Sequence, residues 1–305
     1  MTGLRKSEFQ LQDASILIDN EHGSNMDPDS FEAMDLKPEL LRSINAYGMA
    51  HPSPLQQRTI VPMLSGRDLI VQAPSVFDRT ATYSVSILQR LNPDLDATQA
   101  LIIGATREQS VSLHSEVRAL SAHMPGIRSM VCVGGTAVRE MVNTLKAGGI
   151  HLAVCTPGRA VDLIRRGALK TAGVQFVCLD EIDDMGFGDL VEDLLALLPK
   201  DAQIAVFAPT MPREVLDICE KFMKEPVRIR VEQDTLTFDG IEQWYFPVEK
   251  EEQKFDFLCS FLKTVPDKRP AVIFCNEAGR VSVLLEELRA REFTDISCIV
   301  SSCVM

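Results

Sequence analysis

Apolar and polar positions alternate in blocks along most of the chain. Short runs rich in β-branched and other apolar residues occur at 68–73 (DLIVQA), 100–106 (ALIIGAT), 128–135 (RSMVCVGG), 150–158 (IHLAVCTPG), 174–181 (VQFVCLDE) and 203–210 (QIAVFAPT). Between them lie stretches with helical spacing, among them 80–91 (TATYSVSILQRL), 107–124 (REQSVSLHSEVRALSAHM) and 137–148 (AVREMVNTLKAG). Nearly continuous apolar strands separated by helices predict an α/β domain, a parallel sheet with helices on both faces. Such sheets bind ligands beyond the carboxyl ends of their strands, so chemistry is expected just after each run.

Upstream, helical spacing begins at Phe31, and Pro38 stands where a helix would start. Residues 1–30 are polar and acidic with no period, which reads as a disordered extension. The first domain then spans 31–232 and a linker 233–241 follows. Over 242–305 the alternation restarts, with strands expected at IEQWYFPVE, PAVIFCNEA and ISCIV, and it stops at Met305 as half of an α/β domain.

Composition narrows the function classes. Lys+Arg at 31 against Asp+Glu at 43 gives a net charge of −12, so nucleic-acid binding needs support from motifs rather than from total charge. The eight cysteines form no CxxC pair, which argues against a zinc site and a disulfide framework. No signal-peptide pattern or membrane-spanning apolar run is present, so the expected compartment is cytoplasmic or nuclear, without membrane association.

The motifs carry more. Residues 73–80 (APSVFDRT) follow a strand and open a helix, the setting of a phosphate loop. Around them stand GMAHPSPLQQ before the loop and, after it in chain order, ATREQS, VGGT, TPGR, DEID, APT, FMKEPVRI, VEKEEQKFDFLC and VIFCN. Together these resemble the DEAD-box RNA helicases, and within them the eukaryotic initiation factor 4A group, from Phe31 to about residue 297.

The resemblance implies a RecA-like first lobe, followed by an incomplete second RecA-like lobe. It also implies ATP and Mg²⁺ as cofactors, RNA held by backbone contacts, and translation or RNA-processing factors as partners. Phe31 and Gln56 correspond to adenine-contacting positions, and Ala73, Ser75, Arg79 and Thr80 to the phosphate loop. Thr80 and Asp180 correspond to Mg²⁺ holders, and Glu181 to the residue that activates water. Thr106, Arg107, Gly135, Thr156, Gly158 and Arg159 correspond to RNA contacts. Beside these assignments stand plainer ones: Gln56 as a helix cap, Phe31 as core, the glycines as turns and Arg159 as an exposed loop residue.

The departures matter as much. Val76 and Asp78 replace the family's glycines, and Arg79 replaces its lysine. A β-branched residue resists the φ > 0 conformations glycine adopts, and Asp78 sets a negative charge beside phosphate. Arginine is a planar fork where the family uses a compact ammonium. DEIDDM passes directly to Gly186–Phe187, a shorter loop than the family's, and Ala208–Pro209 stiffens a coupling motif. The family's later motifs, with arginines that complete the ATP site, would lie past Met305. These features predict weak ATP binding and weak or lost hydrolysis, hence an RNA- or partner-binding homologue. The alternative is a slow RNA-dependent ATPase in translation initiation or RNA processing, and a diverged copy with no selected role is the third reading.

Overall fold

The computed structural model describes residues 16–19, 28–182, 188–231, 247–248, 250–264, 271–293 and 296–298. The linker 233–241, the acidic loop at 183–187, most of the N-terminal extension and the stretch 241–246 lie outside the described residues. The chain divides into two compact units, Met1–Thr237 and Phe238–Met305.

The first unit is built on an eight-stranded sheet. Its strands are β1 (Ile16–Asp19), β2 (Leu69–Gln72), β3 (Ala100–Gly104), β4 (Ser129–Cys132), β5 (Leu152–Cys155), β6 (Phe176–Asp180), β7 (Gln203–Ala208) and β8 (Val227–Val231). Their spatial order is β1-β8-β2-β7-β6-β3-β5-β4, with every pairing parallel except β1 on β8. All six apolar runs of the first domain are strands. The sequence reading missed β8, whose VRIRV alternation follows Pro226, and it placed β1 in a stretch without structure. That reading is corrected for Ile16–Asp19, which pair antiparallel with Val231–Arg228 and so cover what would be an open sheet edge.

Alternate strand residues enter two separate cores, as the pleat requires. Val71, Ile102, Val154, Cys178 and Phe207 face one, while Ile70, Ile103, Ala153, Leu179 and Val206 face the other. The first core is closed by α1 (Pro38–Tyr47), α2 (Pro54–Leu64), α3 (Val76–Arg90) and α4 (Arg107–Leu120). The second is closed by α5 (Val138–Ala147), α6 (Pro157–Arg165), α7 (Gly188–Ala196) and α8 (Arg213–Phe222). Helices therefore cover both faces, and only the ends of the strands remain open for a site.

In the second unit, α9 (Glu251–Thr264) and α10 (Ala278–Ala290) are joined by Arg280–Glu251 and Arg291–Asp256 ion pairs at 2.8 and 3.0 Å. The strand expected at PAVIFCNEA is absent over Ala271–Cys275, where Val272 and Phe274 are 75% and 92% exposed. An apolar run needs a pairing partner to become a strand, and no described residue of this unit pairs with it.

Candidate functional site

The sheet order sorts the candidate residues into two groups along one carboxyl edge. Strands β2, β7 and β6 are neighbours and lead to the residues expected at nucleotide. Strands β3, β5 and β4 are neighbours and lead to those expected at RNA.

After β2 the chain makes a capped helix start rather than an open cradle. The Ser75 hydroxyl accepts from the Asp78 N–H at 3.2 Å, and the Ser75 carbonyl accepts from the Arg79 N–H at 3.1 Å. Helix α3 begins at Val76, and no residue from 74 to 80 has positive φ. The Asp78 and Arg79 N–H groups are thus drawn into capping and the first helical turn. Val76 and Phe77 are half exposed, and Phe77 stacks on Tyr47 with centroids 6.1 Å apart. Burial raises the Asp78 carboxyl above its ordinary range, against a hydrogen bond with Ser53.

Arg79 points inward and is fully buried. Its Nη1 donates to the Ala73 and Pro74 carbonyls at 2.6 and 3.1 Å. Its Nη2 donates to Glu181 Oε1 at 2.9 Å, and its Nε lies 3.4 Å from Asp180 Oδ1. The guanidinium fork therefore engages the loop backbone on one side and both acidic residues on the other. A lysine ammonium has no comparable spread.

Asp180, wholly buried, is also reached from its other oxygen. Tyr83 donates its hydroxyl to Oδ2 at 3.1 Å, and Gln109 Nε2 lies 3.4 Å from the same atom. Burial pushes the Asp180 carboxyl up to about 6; Arg79 opposes that shift and the Glu181 charge adds to it. Tyr83, buried against Phe207 in an edge-on contact, has its hydroxyl held well above the usual phenol range by burial and by Asp180. Glu181 sits at φ 57°, a left-handed conformation uncommon for a non-glycine residue. Backbone strain of this kind concentrates at functional sites.

Mg²⁺ does not fit this arrangement. Both Asp180 oxygens face donors, and the Thr80 hydroxyl donates to the Val76 carbonyl at 2.9 Å. Among the described residues no group of three or more His, Cys, Asp or Glu could hold a metal ion.

The adenine positions take structural roles here. Phe31 is buried in the first core, and Gln56 forms a capping box with Ser53 at the start of α2. The Gln56 amide oxygen accepts from the Ser53 N–H at 3.0 Å, and its Nε2 lies 4.0 Å from Met49 Sδ. Ala73 is buried and its N–H donates to the Ala208 carbonyl at 3.1 Å, joining β2 to β7.

The RNA positions remain on the surface. Thr106, Arg107, Gly135 and Gly158 are exposed, and Thr156 and Arg159 are half-buried. Arg107 lies over Gly135: a Cβ added there would fall 2.1 Å from Nη1, and the φ of +73° independently favours glycine. Thr156 begins α6 without a side-chain capping bond, leaving its hydroxyl outside the helix network. The Arg159 guanidinium rests against Met141 Sδ at 3.7 Å.

Three functional neighbours were missed by the sequence reading: Tyr83, Gln109 and Glu116. Gln109 carried a legible signal, since T-x-x-Q at Thr106 is a capping box and places its amide at the strand end. Tyr83 lies four residues after Arg79 on α3, one helical turn on, yet nothing local says that it reaches β6. Glu116 is partly buried with Oε1 lacking a hydrogen-bond partner among the described residues; burial first and the Asp180 charge second raise its carboxyl to about 7.

The chain resembles known proteins over most of its length. The family model described as DEAD/DEAH box helicase matches residues 53–218. The chain is 47% identical over 269 residues to the ATP-dependent RNA helicase eIF4A of Schizosaccharomyces pombe, covering 87% of this chain and 68% of that protein. It is 45% identical over 283 residues to the protein of the same name from Mycosarcoma maydis, covering 91% and 68%. Among solved structures, S. cerevisiae Dbp5 bound to RNA and ADP BeF3 matches with TM-score 0.75 and 28% identity, covering 87% of this chain and 67% of that one. The chain thus spans about two thirds of the length of these relatives.

Proposed function

The chain belongs to the DEAD/DEAH box helicase family, with eIF4A proteins among its relatives, and on that premise we propose that it binds RNA, or partners of its active relatives, with little or no ATP turnover. One observation carries this reading: Arg79 is paired with both Asp180 and Glu181 inside the site. The two acids that would hold Mg²⁺ and activate water already have a cation of the chain's own.

Admitting Mg²⁺ and phosphate requires that pair to open. Separating a buried, hydrogen-bonded ion pair costs about 3–5 kcal/mol, which is roughly two to four powers of ten in an equilibrium constant. The same loop offers phosphate a valine, an aspartate and a hydroxyl-capped N–H in place of a flexible cradle. ATP and Mg²⁺ therefore bind weakly. RNA contacts are sequence-independent, because the surface at Thr106, Arg107, Gly135, Thr156, Gly158 and Arg159 offers hydroxyl, backbone and guanidinium groups suited to sugar and phosphate.

A second reading, a slow RNA-dependent ATPase, draws on the retention of Thr80, Asp180 and Glu181 around the Arg79 cluster. RNA-stimulated phosphate release, with Glu181→Gln as control, separates the two. The proposal expects no release above the control. Turnover that Glu181→Gln abolishes overturns it in favour of the second reading.

A further inference from the structure

The self-filled cluster does not stop at the nucleotide half of the edge. Gln109 Oε1 accepts from the Ala105 N–H at 2.7 Å and lies 3.4 Å from the Thr106 N–H. Its Nε2 turns the other way, to Asp180 Oδ2. One side chain therefore ties the turn after β3 to the acid at the end of β6. Beneath it, Ser110 Oγ donates to the Thr106 carbonyl at 2.8 Å. Gly104 makes this approach possible, since a Cβ there would sit 2.9 Å from Ser110 Oγ and 3.4 Å from Gln109 Oε1.

Followed from one end, the contacts run from the Ala73 carbonyl to Arg79, from Arg79 to Asp180, from Asp180 to Gln109, and from Gln109 to the Ala105 N–H. They run from the carboxyl end of β2 to those of β6 and β3, and the sheet order places β7 between β2 and β6. The two 3.4 Å contacts at Asp180 are long. An anionic acceptor shut away from water keeps them effective where they would be negligible in solvent. Immediately beyond Ala105 stand Thr106 and Arg107, the latter lying over Gly135.

We propose that Gln109 is a positioning residue through which the Arg79–Asp180 cluster holds the Ala105–Arg107 turn in a strand-receiving position without nucleotide or metal. The lobe then engages single-stranded RNA backbone equally well with and without ATP and Mg²⁺. The inference rests on the RNA-binding reading above. Its physical basis is preorganisation: a turn already fixed by its own hydrogen bonds loses little freedom when a strand docks. In this chain the ordering that a bound ligand would supply is supplied by Arg79.

The test uses the full chain and a fluorescent oligouridylate. Anisotropy gives its affinity with ATP and Mg²⁺ and, separately, with EDTA, while amide hydrogen exchange is followed at Ala105 and Thr106. The unaltered protein is expected to bind equally in both conditions. Gln109→Leu is expected to weaken binding about tenfold and to speed exchange at Ala105 and Thr106, with α8 unchanged as the control for folding. Arg159→Ala is expected to weaken binding without altering that exchange, which separates contact from positioning. Binding that appears only with ATP and Mg²⁺ overturns the inference and leaves the RNA reading standing. Unchanged affinity and exchange in Gln109→Leu likewise overturn the inference alone. Absence of binding in every condition overturns the RNA reading and the inference together.

Discussion

The two halves of the carboxyl edge have met the same demand in opposite ways. At β2, β7 and β6 the polar groups are turned on one another: Arg79, Asp180, Tyr83 and Thr80 are all buried and hydrogen-bonded within the chain. At β3, β5 and β4 the corresponding groups face out, with Thr106, Arg107, Gly135 and Gly158 exposed. On the reading proposed above, the half that satisfies itself gives up its ligand. The half that leaves hydroxyls, N–H groups and guanidinium at the surface is the one that binds.

The comparison breaks first at Arg79. Arg79→Met leaves Asp180 buried without its cation, and the expected loss is about 3–5 kcal/mol. For a unit of this size that lowers Tm by about 10 °C, read by thermal denaturation. The loss should be larger at pH 8 than at pH 5, because Asp180 is already raised to about 6 by burial and takes a proton in the acidic sample. A shift of under a couple of degrees would show that the cluster contributes nothing.

Reverting the loop sharpens the contrast from the other side. Val76→Gly, Asp78→Gly and Arg79→Lys together should strengthen Mg²⁺·ATP binding by about 2–4 kcal/mol, measured by titration with a fluorescent analogue. If no affinity is gained, the defect lies outside the loop.

On the open half, Arg159→Ala should weaken oligonucleotide binding equally across sequences and reduce the salt slope by about 1, as expected for one lost phosphate contact. A sequence-dependent loss would mean that Arg159 reads bases.

The smallest effect expected is at Glu116. Its carboxyl is raised to about 7, so the stability it contributes is present at low pH and lost as pH rises through that value. Glu116→Gln should therefore stabilise the chain at pH 8 by on the order of 1 kcal/mol after allowing for partial exposure, read as a rise in Tm, and do little at pH 5. A variant equally stabilised at both pH values would rule out titration as the cause.

Much of this was legible before the structure. The six apolar runs became strands because each is long enough and continuous enough to be buried on both faces, and the motifs fell at their ends. The composition of the loop also told that Val76 and Asp78 would change its backbone. What the sequence could not convey was direction. Nothing in APSVFDRT says that Arg79 turns inward, since that depends on Asp180, 101 positions away, and on Tyr83 and Gln109 filling Asp180's other oxygen. Gln56 and Phe31 were readable in two ways, as adenine contacts or as a cap and a core residue, and in the fold they make a capping box and a core contact. The β1 strand escaped notice because four residues in a polar stretch carry too short a period, and its partner β8 lies 208 to 215 positions downstream.

The most direct measurement is the Tm of the unaltered chain with and without millimolar Mg²⁺·ATP. A ligand present at one hundred times its Kd stabilises the folded state by about 2.7 kcal/mol, a shift of several degrees. With Arg79 closing the site, Tm should not move. A rise of several degrees that is lost in Glu181→Gln or Asp180→Asn would show that the site opens readily to nucleotide and metal, and would contradict the account.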